Sequence, residues 1–412
     1  MGKVSELAER LWTGDDSTEG LHPFTVLLGL EEFAPGLAFL SSFANVTAVE
    51  TGAGLVLIDT GSFFLAASNY TNIREWSKAP VRTAVYTHGH VDHAFGLGPF
   101  ESEARERGES LPEVLAHEAV PDRFERYRRT AGYNEHINAR QFGMATKWPT
   151  DYRMPDVTYQ RELSVEVGGE RFELHHARGE TDDHTWVWMP ERKVLCPGDL
   201  FIWASPNCGN PQKVQRYPRD WALALRTMST LGAETMFPGH GPPIVGAERV
   251  RQALSETAEL LELLHDRTLE LMNQGARLND ILHEVKAPER LLTRPYLRPV
   301  YDEPEFIVRN LWRLYGGWYD GNPSHLKPAR EVELARELAA LSGGAARLVD
   351  RAQELSAAGQ HRLACHLAET AGLAVPDDAA VRDARSNVYS ARAEAETSLM
   401  AKGVYNAAAR GD

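Results

Sequence analysis

Up to about residue 245 the apolar positions fall in short runs, several of them β-branched, each broken by Gly, Asp or Asn. LAFLSSFANVTAVET (37–51), GLVLIDTGS (54–62), VRTAVYTHGH (81–90), LSVEVGGERFELHHA (163–177), DHTWVWMP (183–190), KVLCPGDLFIW (193–203) and TMFPGHGPPI (235–244) predict strands. Between them, NYTNIREWSK (69–78) and PRDWALALRTMSTLG (218–232) carry apolar residues at helical spacing, and MGKVSELAERLW (1–12) reads as the start of an amphipathic helix. Strands interleaved with helices predict a layered α/β domain. Beyond it the strand signal vanishes. AERVRQALSETAELLELLHDRTLELMNQ (247–274) keeps a three- and four-residue apolar spacing over a long span. After Pro- and Gly-rich punctuation at 290–304 and 314–329, the stretch 331–372 predicts helical hairpins with short Gly-marked connections. Segments 345–358 and 360–373 read as a helix pair of the tetratricopeptide kind, which must bury its apolar faces against neighbouring helices or a second subunit. The expected division is an α/β domain over 1–250 and a helical domain over 251–412.

Composition narrows the function classes. The chain has 412 residues, 43% of them apolar and 25% charged, ordinary values for a folded protein. A net charge of −14 works against binding a phosphate backbone, which depends on Lys and Arg neutralising phosphates. Three cysteines, Cys196, Cys208 and Cys365, are too few for a disulfide framework and fit a reducing compartment. No apolar run has the length of a membrane span, and the N-terminus lacks a signal peptide's apolar core. The expectation is a cytoplasmic protein without nucleic-acid partners.

The chemistry concentrates in THGHVDH (87–93). The chain leaves a buried strand there and presents His88, His90, Asp92 and His93 within six residues. Imidazoles with a carboxylate are the donors that a borderline divalent ion such as zinc prefers, and four so close together suit two ions better than one. Further donors follow other strands: Glu180 in HARGETDDH, Asp199 in LCPGDL and His240 in FPGHG, each with a Gly beside it that permits close approach. Asp59 in LIDTG ends an earlier strand at the same edge and is expected to orient a ligand.

This order of motifs resembles the metallo-β-lactamase superfamily, which implies an αββα sandwich with a binuclear site on one edge. The resemblance places His88, His90 and Glu180 on a first ion, Asp92, His93 and His240 on a second, and Asp199 between them. His is the superfamily's usual residue at position 180, and Glu there points to its alkyl sulfatase, or SDS hydrolase-like, branch. EFIVRNLWRLYGGWYDGNPSHLKPA (305–329), RLACHLAETA (362–371) and AEAETSLMAKGVYNAAA (393–409) resemble that branch's helical dimerisation region. Its two carboxylates stand nineteen residues apart, as Glu180 and Asp199 do, with Asp here in place of the second Glu. Those sulfatases carry a further C-terminal sterol-carrier-like domain, and this chain is expected to lack it. The implied activity is hydrolysis of an alkyl sulfate ester by a hydroxide shared between two divalent ions, most simply Zn2+, in a homodimer. Lactone, thioester or phosphodiester hydrolysis and iron-dependent dioxygenation remain open as uses of the same fold.

Asp92, close to the nucleophile, and His184, four residues after Glu180, are the expected proton carriers. Lys213, Arg216 and Tyr217, near the metal motifs in sequence, are candidates for binding the anionic head group. His175 and His176 read as structural, Cys196 as core, and Trp312, Tyr315, Trp318 and Tyr319 as packing anchors of the helical region.

Overall fold

A computed structural model of the chain describes residues 2–143 and 147–411. Among the described residues, thirteen strands form two sheets. The first holds β1 (Gly29–Ala34), β2 (Leu37–Ser41), β3 (Val46–Thr51), β4 (Gly54–Ile58), β5 (Val81–Val85), β6 (Glu113–His117) and β7 (Val157–Tyr159) in sequential order. Pairing is antiparallel from β1 to β4 and parallel from β4 to β7. The second holds β8 (Glu162–Val167), β9 (Glu170–His176), β10 (Thr185–Met189), β11 (Val194–Ile202), β12 (Thr235–His240) and β13 (Ile244–Val245), with β11 and β12 parallel and the other pairs antiparallel.

Alternation along the strands builds the core. Leu37 and Phe39 of β2, Val56 and Ile58 of β4 and Val85 of β5 join Phe172 and Leu174 of β9, Val187 and Met189 of β10 and Val194 and Cys196 of β11 in one buried cluster. The alternate faces are buried too, so β2, β4, β10 and β11 are buried along their whole length and read as near-continuous apolar runs, interrupted in β11 by Asp199. The helix Ala66–Trp76 packs on β1 and β2, while Pro218–Met228 and Ala247–Asn273 cover β11 and β12. This is the αββα sandwich expected from the motif order, with a helical region after it.

Two compact units divide the chain: residues 1–131, 149–276 and 280–317 in one, residues 132–148, 277–279 and 318–412 in the other. The packing boundary thus falls after residue 317 instead of at 250. The 27-residue helix Ala247–Asn273 lies against Pro218–Met228 and receives Pro304–Gly316 on its flank, so these helices belong with the sandwich. In the second unit the expected pair is present as Ala345–Ala357 and His361–Ala374. Its interfaces are rich in alanine (Ala335, Ala339, Ala352, Ala364, Ala368, Ala371), which lets the helices approach closely. No helix among the described residues is long and apolar enough to cross a membrane.

Candidate metal centre

Strand ends deliver the donors. Asp59 follows β4 and adopts φ 56°, a left-handed conformation that Asp tolerates better than most residues. There its carboxylate accepts from the Thr87 amide (2.7 Å), the Thr87 hydroxyl (2.8 Å) and His93 Nδ1 (2.7 Å). Just past β5, the Gly89 amide donates to Asp183 (3.0 Å), and a Cβ at Gly89 would press on Arg123 and Phe124. In β11, Gly198 at φ 54° breaks the register with β12, and a Cβ there would stand 2.7 Å from the His184 ring. That bulge turns Asp199 toward His240 at the end of β12.

The seven predicted donors converge. His88 Nε2 lies 3.5 Å from Glu180 Oε2, 4.0 Å from Asp199 Oδ2 and 2.8 Å from His90 Nδ1, which itself stands 3.5 Å from Glu180 Oε2. His93 Nε2 is 3.4 Å from Asp199 Oδ1 and 3.8 Å from Asp92 Oδ2. His240 Nε2 is 3.3 Å from Asp199 Oδ2 and 3.5 Å from Asp92 Oδ2. Two groups therefore present ligand atoms to a common point: His88, His90, Glu180 and Asp199, and Asp92, His93 and His240. Asp199 faces both.

Tautomers follow from the acceptors behind the rings. With its proton on Nδ1, His88 donates to Thr87 Oγ1 (3.0 Å), His93 to Asp59, and His240 to the Phe43 carbonyl. The Nε2 atoms of all three then face inward, and His93, although buried, is held well above the ordinary imidazole range by the Asp199, Asp59 and Asp92 carboxylates. Burial, with Arg123 and Arg216 near His90 and other imidazoles near His88, holds both histidines well below the ordinary imidazole range, hence neutral. Burial pushes Glu180 well up, aided by the Asp199 charge; Asp199 is drawn well down by His240 and His93 despite its burial. Glu180 Oε2, Asp199 Oδ1 and His93 Nε2 are buried without hydrogen-bond partners. Unpaired acceptors of this kind are costly unless a cation sits among them, so the residues fit a divalent metal.

Other predicted residues fall in three places. Arg216 is buried, donates from Nη1 to the Glu180 carbonyl (2.6 Å) and lies 3.5 Å from Glu180 Oε1 through Nη2; its Nε has no partner. Lys213 lies in the same field, its ammonium pushed down to about 8 by burial and by Arg216. Tyr217 is not gathered in; its ring carries the Arg178 guanidinium at 4.7 Å and its amide donates to Gly179. His184 lies behind the donors. Its Nε2 accepts from the Asp199 amide (3.1 Å), it is fully buried and its ring stacks on His88 at 4.7 Å, so it braces two donors.

Sequence reading missed Asn207, whose Nδ2 donates to Glu180 Oε1, and Phe24, whose ring meets His240 edge-on at 4.2 Å. Phe43 stands 5.8 Å from His240 and 5.3 Å from the exposed Phe64, so an aromatic wall runs from the centre to the surface. No local signal marks any of these residues. His175 stacks on Trp186 at 4.1 Å and His176 on His117 at 3.7 Å, structural placements as expected.

Two family models match the chain: the metallo-beta-lactamase superfamily over residues 42–240 and alkyl sulfatase dimerisation over 277–411. A linear primary-alkylsulfatase from a Pseudomonas species is 27% identical over 83% of this chain and 69% of its own length. An (R)-specific secondary-alkylsulfatase, also from Pseudomonas, is 27% identical over 87% of this chain and 58% of its own. The solved structure of the stereoselective inverting sec-alkylsulfatase Pisa1 from Pseudomonas superposes with a TM-score of 0.83 at 23% identity, over 94% of this chain and 65% of that one. The chain thus spans about two thirds or less of these relatives' lengths.

Proposed function

Since this chain belongs to the metallo-β-lactamase superfamily, in its alkyl sulfatase branch, we propose that it is a dinuclear metal-dependent hydrolase of alkyl sulfate esters. The observation that carries this reading is the pair of buried donor groups sharing Asp199, three of whose atoms lack any other partner. His88, His90 and Glu180 would hold one divalent ion, most simply Zn2+, and Asp92, His93 and His240 another, and Asp199 faces both groups. When bound, such ions bring the pKa of a water to about 7 and offset negative charge on the departing sulfate.

The chain's own residues do the rest. Asp92 and His90 are the least buried of the seven donors, with 21% and 16% of their side chains exposed, so substrate enters on their side. There Asp92 takes the proton of the attacking water. Arg216, its Nε buried without an acceptor, and Lys213 supply cationic donors to the sulfate oxygens. The wall of Phe24, Phe43 and Phe64 accommodates the alkyl group. Three unpaired cysteines agree with a cytoplasmic location. A homodimer fits the helix Glu331–Leu341, which buries Ala335 and Ala339 and leaves Leu334, Leu338 and Leu341 exposed on one stripe.

The test is elemental analysis with a turnover panel of alkyl sulfates, lactones and phosphodiesters. Two zinc ions per chain and sulfate release, abolished in His88→Ala, are expected. No sulfate release from any member, or turnover confined to lactones or phosphodiesters, refutes the sulfatase.

A further inference from the structure

The loop that carries Asn207, Lys213 and Arg216 is held by residues that lie in the segment matched by the dimerisation model, and that segment belongs to the sandwich unit up to residue 317. A Cβ at Gly209 would collide with the backbone of Phe306 and Ile307, so the loop lies directly on the helix Pro304–Gly316. Asp302 accepts the Gly209 amide (2.5 Å), two residues beyond Asn207. Ser205 donates its amide to the Arg298 carbonyl (2.9 Å).

Asn310 makes the most specific of these contacts. Its Oδ1 accepts from the Arg216 amide (3.2 Å) and its Nδ2 donates to the Arg216 carbonyl (3.1 Å), so one side-chain amide grips both backbone groups of one residue. The side chain of Gln215 closes the grip: its Nε2 donates to Asn310 Oδ1 (2.8 Å) and to the Arg216 carbonyl (2.8 Å). Arg313 adds Nε to Gln215 Oε1 (2.9 Å) and Nη2 to Asn310 Oδ1 (3.3 Å). Asn310 is 5% exposed, so water cannot replace these bonds cheaply. Arg216 carries the consequence at its other end, where Nη1 holds the Glu180 carbonyl and Nε awaits an acceptor. Extended side chains position a charge only as well as their backbone is fixed.

We propose that Asn310 is a positioning residue for the anion site: by clamping both backbone groups of Arg216 it aims the guanidinium between Glu180 and the substrate's sulfate. This rests on the sulfatase reading above. The helix bearing Asn310 is then part of the hydrolase, whatever it contributes to assembly.

Two variants and a coupling measurement test it in the full-length zinc-loaded protein. In Asn310→Ala, competitive inhibition by inorganic sulfate and KM should both weaken about ten-fold, the worth of one charge-assisted hydrogen bond. The zinc content should stay at two and kcat should change less than the binding constants. Arg216→Lys should weaken sulfate in the same way, and the double variant should be no worse than the poorer single, because both act through one guanidinium. Should Asn310→Ala not fold, Gln215→Ala, which removes the bonds that tie Asn310 Oδ1 to the Arg216 carbonyl, should weaken sulfate inhibition in the same direction but by less, and unchanged inhibition there overturns the assignment. Unchanged sulfate inhibition, or full additivity with Arg216→Lys, overturns the assignment while leaving the sulfatase standing. A wild-type protein that neither releases nor binds sulfate removes the parent reading and this one with it.

Discussion

Asp59→Asn changes one atom and tests how the second metal position is built. The carboxylate of Asp59 is 3% exposed and receives three donors: the Thr87 amide on Oδ1, and the Thr87 hydroxyl and His93 Nδ1 on Oδ2. An amide of the same shape has one acceptor oxygen. With that oxygen in the Oδ2 position, the new NH2 faces the Thr87 N–H at 2.7 Å, donor against donor. With the amide turned over, the NH2 faces His93 Nδ1, which then has to accept. The His93 proton moves to Nε2, the atom 3.4 Å from Asp199 that is meant to ligate.

Either arrangement costs about 1–3 kcal/mol, the penalty for an unmet buried donor. That corresponds to roughly five- to 150-fold in an equilibrium constant, in line with the about 10–100-fold usually lost when a ligating histidine loses its outer partner. Because only His93 depends directly on Asp59, the loss should fall on the Asp92–His93–His240 group. The first group should suffer only through Thr87, which receives His88 Nδ1. The assay is zinc content after dialysis against a graded chelator, with sulfate release on the same samples. Two ions in the wild type should become one in Asp59→Asn, and activity should return only at raised zinc. A variant that keeps both ions at wild-type affinity refutes the tautomer argument.

Three further outcomes follow from packing and charge. Gly239→Ala sets a Cβ against Asp199 Oδ1 and the Gly198 backbone, neither able to retreat, so it should lose both ions and most activity by elemental analysis and turnover; retention of two ions contradicts the close approach. Burial pushes the Asp302 carboxyl up to about 7, so the folded chain keeps a proton that the unfolded chain sheds near pH 4. This group therefore favours folding at low pH, and its contribution is lost as pH rises from 4 to 7. The melting temperature of Asp302→Asn relative to wild type should climb between pH 5 and pH 8, and a constant gap negates the raised pKa. Leu338→Glu places a charge in the exposed Leu334–Leu338–Leu341 stripe and should convert a two-chain mass to one chain in light scattering without changing the circular dichroism; an unaltered mass moves the dimer interface elsewhere.

What the sequence discloses and what it hides follow one physical division. The candidate donors were legible because His88, His90, Glu180, Asp199 and His240 each have a glycine neighbour close to where an apolar run stops, as with Gly198 beside Asp199 and Gly239 beside His240, and Asp92 and His93 follow in the same loop; strand ends and tight turns leave local marks. The sandwich was legible for the same reason, through runs such as GLVLI and TWVWM that are buried on both faces. Less was visible between residues 98 and 160. The helix Gly98–Arg107 is mostly polar, β6 is five residues long, and neither offers a full period to read. The compact sandwich unit runs past the expected boundary at 250 because a helical pattern states that a face is buried without stating against what.

The supports were illegible because they reach across the chain. Asp59 meets His93 34 residues away, Phe43 receives His240 across 197, and Asn310 grips Arg216 across 94. An asparagine inside an ordinary amphipathic helix looks like a solvated polar residue until the partner loop is in place. His184 shows the same limit, since proximity to Glu180 in sequence could not disclose that its ring receives the Asp199 amide. The same division bears on the departure at position 180. A carboxylate there brings negative charge and a second oxygen that an imidazole lacks, and Asn207 and Arg216 are what occupy that oxygen, leaving Oε2 without a hydrogen-bond partner. Replacing Glu180 by His would therefore not restore a simpler centre. It would strip the acceptor from Asn207 and from Arg216 and leave a buried guanidinium facing a ring, which is why the loop and the carboxylate have to be changed together if they are changed at all.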